Sequence, residues 1–262
     1  MENPKHFVLV HGICHGAWSW YKLVTLLRHA GHRVTALDLG ASGINSKQLH
    51  EITSVWNYVQ PLMEFMASIS HEERVILVGH SYGGASAQHL AMERFPQKVL
   101  AAVFVTAYMP HYNSPPGVLI QEYFKGTPVE SLLDCELKFG QNQENPLTSV
   151  VFGPQYMAEK LFQKCKPEDL ELAKMLVRPS GLFLEDFMTK ECQLTEPKFG
   201  SVTRVFVVCE GDEVVKEEFQ RWMIENGPTA QVILIREAGH MVMLSKPEQL
   251  CGCLCEVAEK IS

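Results

Sequence analysis

The sequence predicts an α/β fold in which a mostly parallel sheet is flanked by helices and carries one inserted helical segment. Short runs rich in Val, Ile and Leu alternate with patterns typical of amphipathic helices. Such continuously apolar strands are typical of a parallel sheet that helices cover on both faces. The candidate strands are 7–10, 33–37, 74–78, 100–105, 204–209 and 231–236.

Helical patterns separate these strands along the chain. They cover 18–30, 55–68, 86–95, 217–226 and 247–260. Because strand–helix–strand crossovers are right-handed, parallel strands end at one edge of the sheet, where functional residues gather. The loops that follow the strands are therefore the expected positions of catalytic residues.

The interval 109–200 breaks this alternation. It is rich in Pro, has no convincing core strand, and has short helical patterns at 118–124, 155–164, 168–177 and 182–189. Because the interval follows the end of a strand, we predict a helical cap of residues 109–200 on a core of residues 1–108 and 201–262. We expect the cap to contribute an apolar lining to a pocket. The alternative is a helical subdomain that makes no contact with a substrate.

Composition and charge restrict the kind of partner. The chain has 262 residues, of which 46% are hydrophobic, and this is enough for a large core. A formal net charge of −7 argues against nucleic acid, and no basic run indicates an anionic membrane surface. The apolar runs are too short to span a bilayer, and the first residues lack the apolar core of a signal peptide. We expect a cytoplasmic protein with a small-molecule partner.

The eight cysteines show no C-x-x-C spacing. Cys251, Cys253 and Cys255 occupy alternate positions of a predicted helix, so Cys253 points away from the other two. Without a signal peptide, reduced thiols packed as small hydrophobic side chains are the expected state. We predict no metal site.

The segment Gly79-His80-Ser81-Tyr82-Gly83 lies between a predicted strand and a predicted helix. This G-x-S-x-G pattern in a strand–turn–helix setting is typical of the nucleophile elbow of α/β-hydrolases. The serine is raised on a sharp turn, and glycines on both sides let strand and helix pass closely. A chance match in a glycine-rich turn is the alternative reading.

A serine nucleophile needs a base within hydrogen-bond reach and an acid that orients the base. His240 follows the last predicted strand and is the only histidine after His111. Asp212 directly follows the strand 204–209, whereas the other aspartates between Ser81 and His240 fall in the predicted cap. The sequence therefore predicts a Ser81–His240–Asp212 triad, with Glu210 and Glu213 as rival acids.

An oxyanion hole needs two backbone N–H groups directed at the developing charge. The residue after the nucleophile, Tyr82, supplies one of them. Ile13 is the expected second donor, because it lies in the loop after the first strand and Gly12 permits a tight turn there.

The chain resembles the plant methylesterase and hydroxynitrile lyase family of α/β-hydrolases, including its polyneuridine aldehyde esterase type. The resemblance covers nearly the whole length. It is carried by HFVLVHG at 6–12, CHGAW at 14–18, GHRVTALDL at 31–39, ASGIN at 41–45, PLMEFM at 61–66, EDLELA at 168–173, EFQRW at 218–222 and the segment 240–247. It implies a cytosolic enzyme without a cofactor, often dimeric, so a homodimer is expected. It also implies a capped apolar pocket, whose residues include Gly12, His80, Tyr123, Leu132 and Met241.

Two chemistries occur in this family, and residues of the chain discriminate between them. The lyases that the chain resembles have Thr at the position of Gly12 and Lys at that of Met241, and this Lys stabilises the leaving cyanide. Gly12 and Met241 therefore favour an esterase. Members that act on benzenoid esters commonly have Trp at the position of Leu132, which argues against salicylate as the preferred acid.

The sequence thus predicts a serine esterase that hydrolyses methyl esters of small plant metabolites, such as hormones or alkaloid-type carboxylic esters. Three alternatives stay open: a non-hydrolytic enzyme of alkaloid metabolism, a hydroxynitrile lyase, and a hormone receptor that retains a triad. Steady multiple-turnover hydrolysis distinguishes the enzyme from the receptor.

Overall fold

The computed structural model describes residues 4–139 and 147–261. The strands, in chain order, are β1 (His6–Val10), β2 (Arg33–Leu37), β3 (Val75–His80), β4 (Val99–Val105), β5 (Glu136–Phe139), β6 (Leu147–Val151), β7 (Ser180–Gly181), β8 (Arg204–Cys209) and β9 (Gln231–Ile235). The longer helices are α1 (Tyr21–His29), α2 (Val55–Ser68), α3 (His89–Arg94), α4 (Pro116–Lys125), α5 (Pro167–Leu176), α6 (Glu217–Asn226) and α7 (Pro247–Lys260). Short 3₁₀- and π-helical segments connect them.

Six strands form one sheet in the order β2-β1-β3-β4-β8-β9. All its ladders are parallel, and Val10 at the end of β1 pairs with Gly79 near the end of β3. The strands therefore end at one edge, as predicted. The predicted α/β fold is confirmed, and each end of the six predicted strands lies within two residues of the observed end.

Helices cover both faces of this sheet. The side chains of β1 alternate between the faces, so Val8 lies in one buried cluster and Phe7 in the other. The first cluster includes Leu62 of α2, and the second includes Leu254 of α7. A strand that is buried on both faces must be apolar at every position, which explains the continuous Val, Ile and Leu runs.

The predicted helix 55–68 agrees with the observed helix α2, whose buried residues form one continuous apolar face. In α2 the buried residues recur every three or four positions, which places them on one face of the helix; they are Val55, Tyr58, Val59, Leu62 and Met66. The hydroxyl of Ser54 accepts a hydrogen bond of 3.3 Å from the Asn57 amide, which satisfies one free N–H of the first turn.

The cap between β4 and β8 is mixed rather than helical. It contains α4, α5 and a three-stranded antiparallel sheet, β5-β6-β7, that the sequence pattern did not indicate. The predicted helix 182–189 is wrong, because only the turn Asp186–Met188 is helical. The Leu182 amide donates to the Thr148 carbonyl of β6, and Phe183 has a φ of 51°, which a right-handed helix cannot accommodate.

Polar side chains bind the cap to the core. The Asp169 carboxylate of α5 accepts from the Tyr21 hydroxyl at 2.8 Å and from the Lys22 ammonium at 2.6 Å, both on α1. The Arg178 guanidinium donates to the carbonyls of Gly43, Asn45 and Lys47. The division into a core of 1–108 and 201–262 and a cap of 109–200 stays a prediction.

In the two described ranges, no helix is both long and apolar enough to cross a membrane. Across the same ranges, the side chains of His, Cys, Asp and Glu form no group of three placed to hold a metal ion. All eight cysteines are free thiols.

Candidate active site

Ser81 occupies a strained turn between β3 and a π-helical segment, Gly84–Gln88. Its φ is 52°, in the left-handed region that residues other than glycine rarely adopt. The flanking glycines are required by close packing. A Cβ on Gly79 would lie 2.1 Å from the Gln88 side-chain oxygen, and a Cβ on Gly83 would lie 2.4 Å from the His11 carbonyl oxygen.

The structure brings Ser81, His240 and Asp212 together in one buried hydrogen-bonded relay. The Ser81 hydroxyl donates to His240 Nε2 at 2.9 Å, and His240 Nδ1 donates to Asp212 Oδ2 at 2.7 Å. The three residues follow β3, β9 and β8, whose carboxyl ends share one edge of the sheet. This arrangement can transfer a proton from the serine to the imidazole while the carboxylate holds the ring.

The Asp212 carboxylate is held in one orientation by other donors. The amides of Val214 and Val215 donate to its Oδ1 at 2.7 and 3.0 Å. The Thr106 hydroxyl donates to Oδ2, the oxygen that also faces His240. Thr106, at the end of β4, has a φ of 39°, and such strain in a β-branched residue is typical of functional sites.

The rival acids lie elsewhere. Glu210 accepts from the Glu237 amide at 3.1 Å and faces Arg236 at 3.4 Å. Glu213 is half exposed and lies 3.8 Å from the Lys160 ammonium. Neither is hydrogen-bonded to His240, whereas the Asp212 side chain is buried against it.

A second imidazole supports His240. His80 Nε2 donates to the His240 carbonyl at 2.9 Å, and the two ring centroids are 4.7 Å apart. Burial lowers the pKa of His80 well below the usual range. His80 is therefore neutral at pH 7, so it adds no like charge beside His240 when that ring takes up a proton.

His11 orients the loop that follows β1. Its Nε2 accepts from the Leu39 amide at 3.1 Å, so the proton is on Nδ1, which donates to the Gly12 carbonyl at 2.8 Å. In a trans peptide the C=O and N–H point in opposite directions, so this contact directs the Ile13 N–H away from His11. The Tyr82 N–H belongs to the first turn after Ser81, where amides have no acceptor in their own helix.

One pocket opens onto Ser81 and His240, and both core and cap contribute to its mostly apolar wall. Of the predicted pocket residues, Gly12, His80, Tyr123 and Leu132 line it, as do Ile13 and Tyr82. The other lining residues are His15, Tyr108, Ile120, Phe124, Cys135, Leu137, Val150, Phe152, Tyr156, Leu161, Leu182 and Val214.

The predicted assignment of Met241 to the pocket has to be corrected. Its side chain is fully buried in the apolar cluster beneath α7, and Met241 is not among the residues that line the pocket. The residue follows His240 in the chain, but its own backbone already begins the turn Val242–Ser245, whose amides bond to the Met241 carbonyl. This turn packs the side chain into the core.

The sequence pattern missed several residues of the site. Thr106 and His11 each directly follow a core strand at the sheet edge where Ser81 lies. This position could have indicated them as candidate site residues. Val150 and Leu182 belong to the small cap sheet or its extension, which no pattern indicated.

Two buried histidines should make the stability of the folded protein sensitive to acid. Burial lowers the pKa of His15, in the pocket wall, and of His89, in α3, each to about 4. In the unfolded chain a histidine pKa is about 6.5, so the unfolded state binds more protons below that pH. Stability is therefore lost as the pH falls from 6.5 and levels off below about 4. From pH 7 to pH 5 we expect each residue to lower the free energy of unfolding by about 2 kcal/mol.

Urea unfolding at both pH values measures this loss. His89→Asn keeps a donor for the Gly84 carbonyl but cannot titrate, so its loss between pH 7 and pH 5 should be smaller by about 2 kcal/mol. The same change at the exposed His71 is the control. An identical pH dependence in native protein and His89→Asn contradicts the prediction.

Comparison with known proteins agrees with this geometry. Residues 7–252 match the alpha/beta hydrolase family, and the chain belongs to that family. It is 53% identical to methylesterase 10 of Arabidopsis thaliana over 99% of this chain and 94% of that protein. It is 51% identical to salicylic acid-binding protein 2 of Nicotiana tabacum, over 99% of both chains. The crystal structure of polyneuridine aldehyde esterase superimposes with a TM-score of 0.93 at 47% identity, covering 98% of this chain and 100% of that one.

Proposed function

We propose that this protein is a serine esterase that hydrolyses methyl esters of small plant metabolites. The observation that carries the proposal is the buried relay of Ser81, His240 and Asp212 at the base of an apolar pocket. Two relatives support it: methylesterase 10, at 53% sequence identity, and polyneuridine aldehyde esterase, at 48%, both over nearly the full length of this chain.

In the first half of the reaction His240 takes the Ser81 proton as Ser81 Oγ attacks the ester carbonyl carbon. The amides of Ile13 and Tyr82 are the proposed donors to the tetrahedral oxyanion. The C–O bond to the alcohol then breaks, and His240 returns the proton to the departing methanol. Asp212 keeps the imidazole in the tautomer that accepts at Nε2.

In the second half, water replaces the alcohol. His240 removes a proton from the water as it attacks the acyl-enzyme, and the same proton goes back to Ser81 Oγ when the acid leaves. The neutral His80 and the donors to Asp212 hold the imidazole throughout. This chemistry uses only side chains, backbone amides and water, so we propose no cofactor and no metal.

We also propose a cytoplasmic location and a homodimer, with a small-molecule ester as the substrate and neither nucleic acid nor membrane as a partner. The negative net charge supports the exclusion of nucleic acid.

The choice between esterase and lyase has a direct test. We expect multiple-turnover hydrolysis of naphthyl acetate and of a panel of plant methyl esters, measured by acid release, and negligible cyanide release from mandelonitrile. Cyanide release at a useful rate while the esters stay intact contradicts the proposal. A single turnover followed by tight retention of the acid indicates a receptor.

Gly12 offers a second measurement. A Cβ at this position would lie 3.1 Å from Ser81 Cβ and 3.4 Å from His80 Nδ1, so Gly12→Thr displaces the nucleophile or the loop. Because small misplacements of reacting groups are costly, we expect kcat for ester hydrolysis to fall by roughly 100-fold. Gly252→Thr on α7, where a Cβ meets nothing within 4 Å, is the matched control. Full activity of Gly12→Thr contradicts the expected crowding.

A further inference from the structure

The residue after Ser81 carries a large side chain into the pocket wall. Tyr82 is 3% exposed and lines the pocket. Its ring packs edge-on against Tyr108, with centroids 5.8 Å apart, and against Phe187, with centroids 6.3 Å apart. A ring packed against two others cannot swing away without repacking both, so Tyr82 forms a fixed part of the pocket wall.

The hydroxyl end of the same side chain is bound to the cap. Tyr82 donates to the carbonyl of Leu182, which directly follows β7. Leu182 also lines the pocket, and its amide donates to the Thr148 carbonyl of β6 at 3.0 Å. One side chain thus extends from the nucleophile turn to the small cap sheet.

The direction of the proposed reaction decides which part of an ester meets this ring. Because His240 must protonate the departing alcohol, the alcohol faces His240. It also faces the neighbouring His80, whose ring centroid is 4.7 Å from that of His240. The carbonyl oxygen faces the amides of Ile13 and Tyr82. The acid part is left with the other walls of the pocket, which include the Tyr82 ring and its aromatic neighbour Tyr108.

We propose that Tyr82 determines the size of the acid group that the enzyme accepts: its ring is the wall at the acid end of the pocket, and its hydroxyl holds wall and cap together. The preferred substrates are accordingly esters of compact acids. This inference rests on the proposed esterase function.

Tyr82→Leu tests the wall, because it shortens the side chain and keeps the backbone amide. In p-nitrophenyl esters from acetate to hexanoate, the kcat/KM ratio of hexanoate to acetate should rise by roughly tenfold or more over the native chain. In acetate esters of increasing alcohol size, the corresponding ratios should stay unchanged. A shift in both series means a general opening of the pocket and overturns the assignment to the acid side. No shift in either series overturns the proposal.

Tyr82→Phe tests the hydroxyl separately. The ring remains, so the preference for acid size should stay as in the native chain. The Leu182 carbonyl loses its donor, so amide hydrogen exchange in the segment 180–184 should become faster. Tyr112→Phe, half-buried outside the pocket, is the matched control and should change neither measurement. Unchanged exchange in Tyr82→Phe overturns the role of the hydroxyl.

Phosphonate labelling separates this inference from the proposed function. The relative rates with which short- and long-chain alkyl fluorophosphonates label Ser81 report acid-side space without turnover. If the native chain is labelled but hydrolyses no ester, the proposed function fails, while the Tyr82→Leu labelling preference still tests the wall. If Tyr82→Leu does not fold, Tyr82→Met should show a smaller shift in the same direction. An unchanged labelling preference in the folded variant overturns the proposal.

Discussion

Replacing Ser81 by alanine should abolish measurable ester hydrolysis, with a fall in kcat of roughly 10⁶-fold, as for the nucleophile of other serine hydrolases. The physical reason is that the relay loses the proposed nucleophile, so the proposed acyl-enzyme cannot form, while binding in the apolar pocket is retained. Steady-state kinetics on a methyl ester that the native chain hydrolyses measures the fall. Mass spectrometry after treatment with a fluorophosphonate should place the adduct on the peptide that contains Ser81.

Ser86 provides the matched control. It lies five positions further along the chain, is fully buried and belongs to the π-helical segment that follows Ser81. Ser86→Ala should retain turnover and phosphonate labelling. Labelling of a different residue, or undiminished hydrolysis by Ser81→Ala, would remove Ser81 from the mechanism.

The second large effect is expected at Asp212. Asp212→Asn should lower kcat by about 10⁴-fold, because an amide NH₂ facing His240 Nδ1 favours the tautomer whose Nε2 already carries a proton. That Nε2 could no longer accept from Ser81. The amides of Val214 and Val215 should still donate to the remaining side-chain oxygen, and the Thr106 hydroxyl can turn to accept from the new NH₂ group, so the side chain should stay in place. The loss should therefore appear in kcat with little change in thermal stability.

Glu210→Gln and Glu213→Gln are the controls for this result. Both side chains are directed to surface partners, Arg236 and Lys160, so we expect little change in kcat. A larger loss in either glutamine variant than in Asp212→Asn would transfer the acid role to that residue.

The sequence alone predicted the parallel sheet and the residues that meet at its edge. The reason is that a strand buried on both faces must be apolar throughout, so each core strand is visible as a continuous run. Parallel strands also end together, so the loops after them converge whatever the helices between them do. Ser81, Asp212 and His240 could therefore be selected by chain order. In the structure, His240 is hydrogen-bonded to the Ser81 hydroxyl at 2.9 Å and to the Asp212 carboxylate at 2.7 Å.

Tertiary structure alone decided the composition of the cap and the orientation of individual side chains. β5 alternates exposed Glu136 and Lys138 with half-buried Leu137, a pattern too short to be distinguished from a loop. Its pairing with β6 depends on residues distant in the chain. The family resemblance indicated Met241 as a pocket residue, but the turn that follows His240 packs its side chain into the core.

The same distinction applies to the groups that support the relay. Thr106 and His11 act through hydrogen bonds to groups that the fold brings into reach: Thr106 bonds to Asp212, more than a hundred residues later, and His11 bonds to Leu39. Local sequence determines which residue types stand at the ends of strands, because burial and backbone geometry leave a periodic pattern. Contacts between side chains of separate loops leave no such pattern, since they depend on the packing of the whole chain. The sequence therefore indicates Tyr82 only as the residue after a predicted nucleophile, whereas its hydrogen bond to Leu182 forms only when the segment after β7 packs against it.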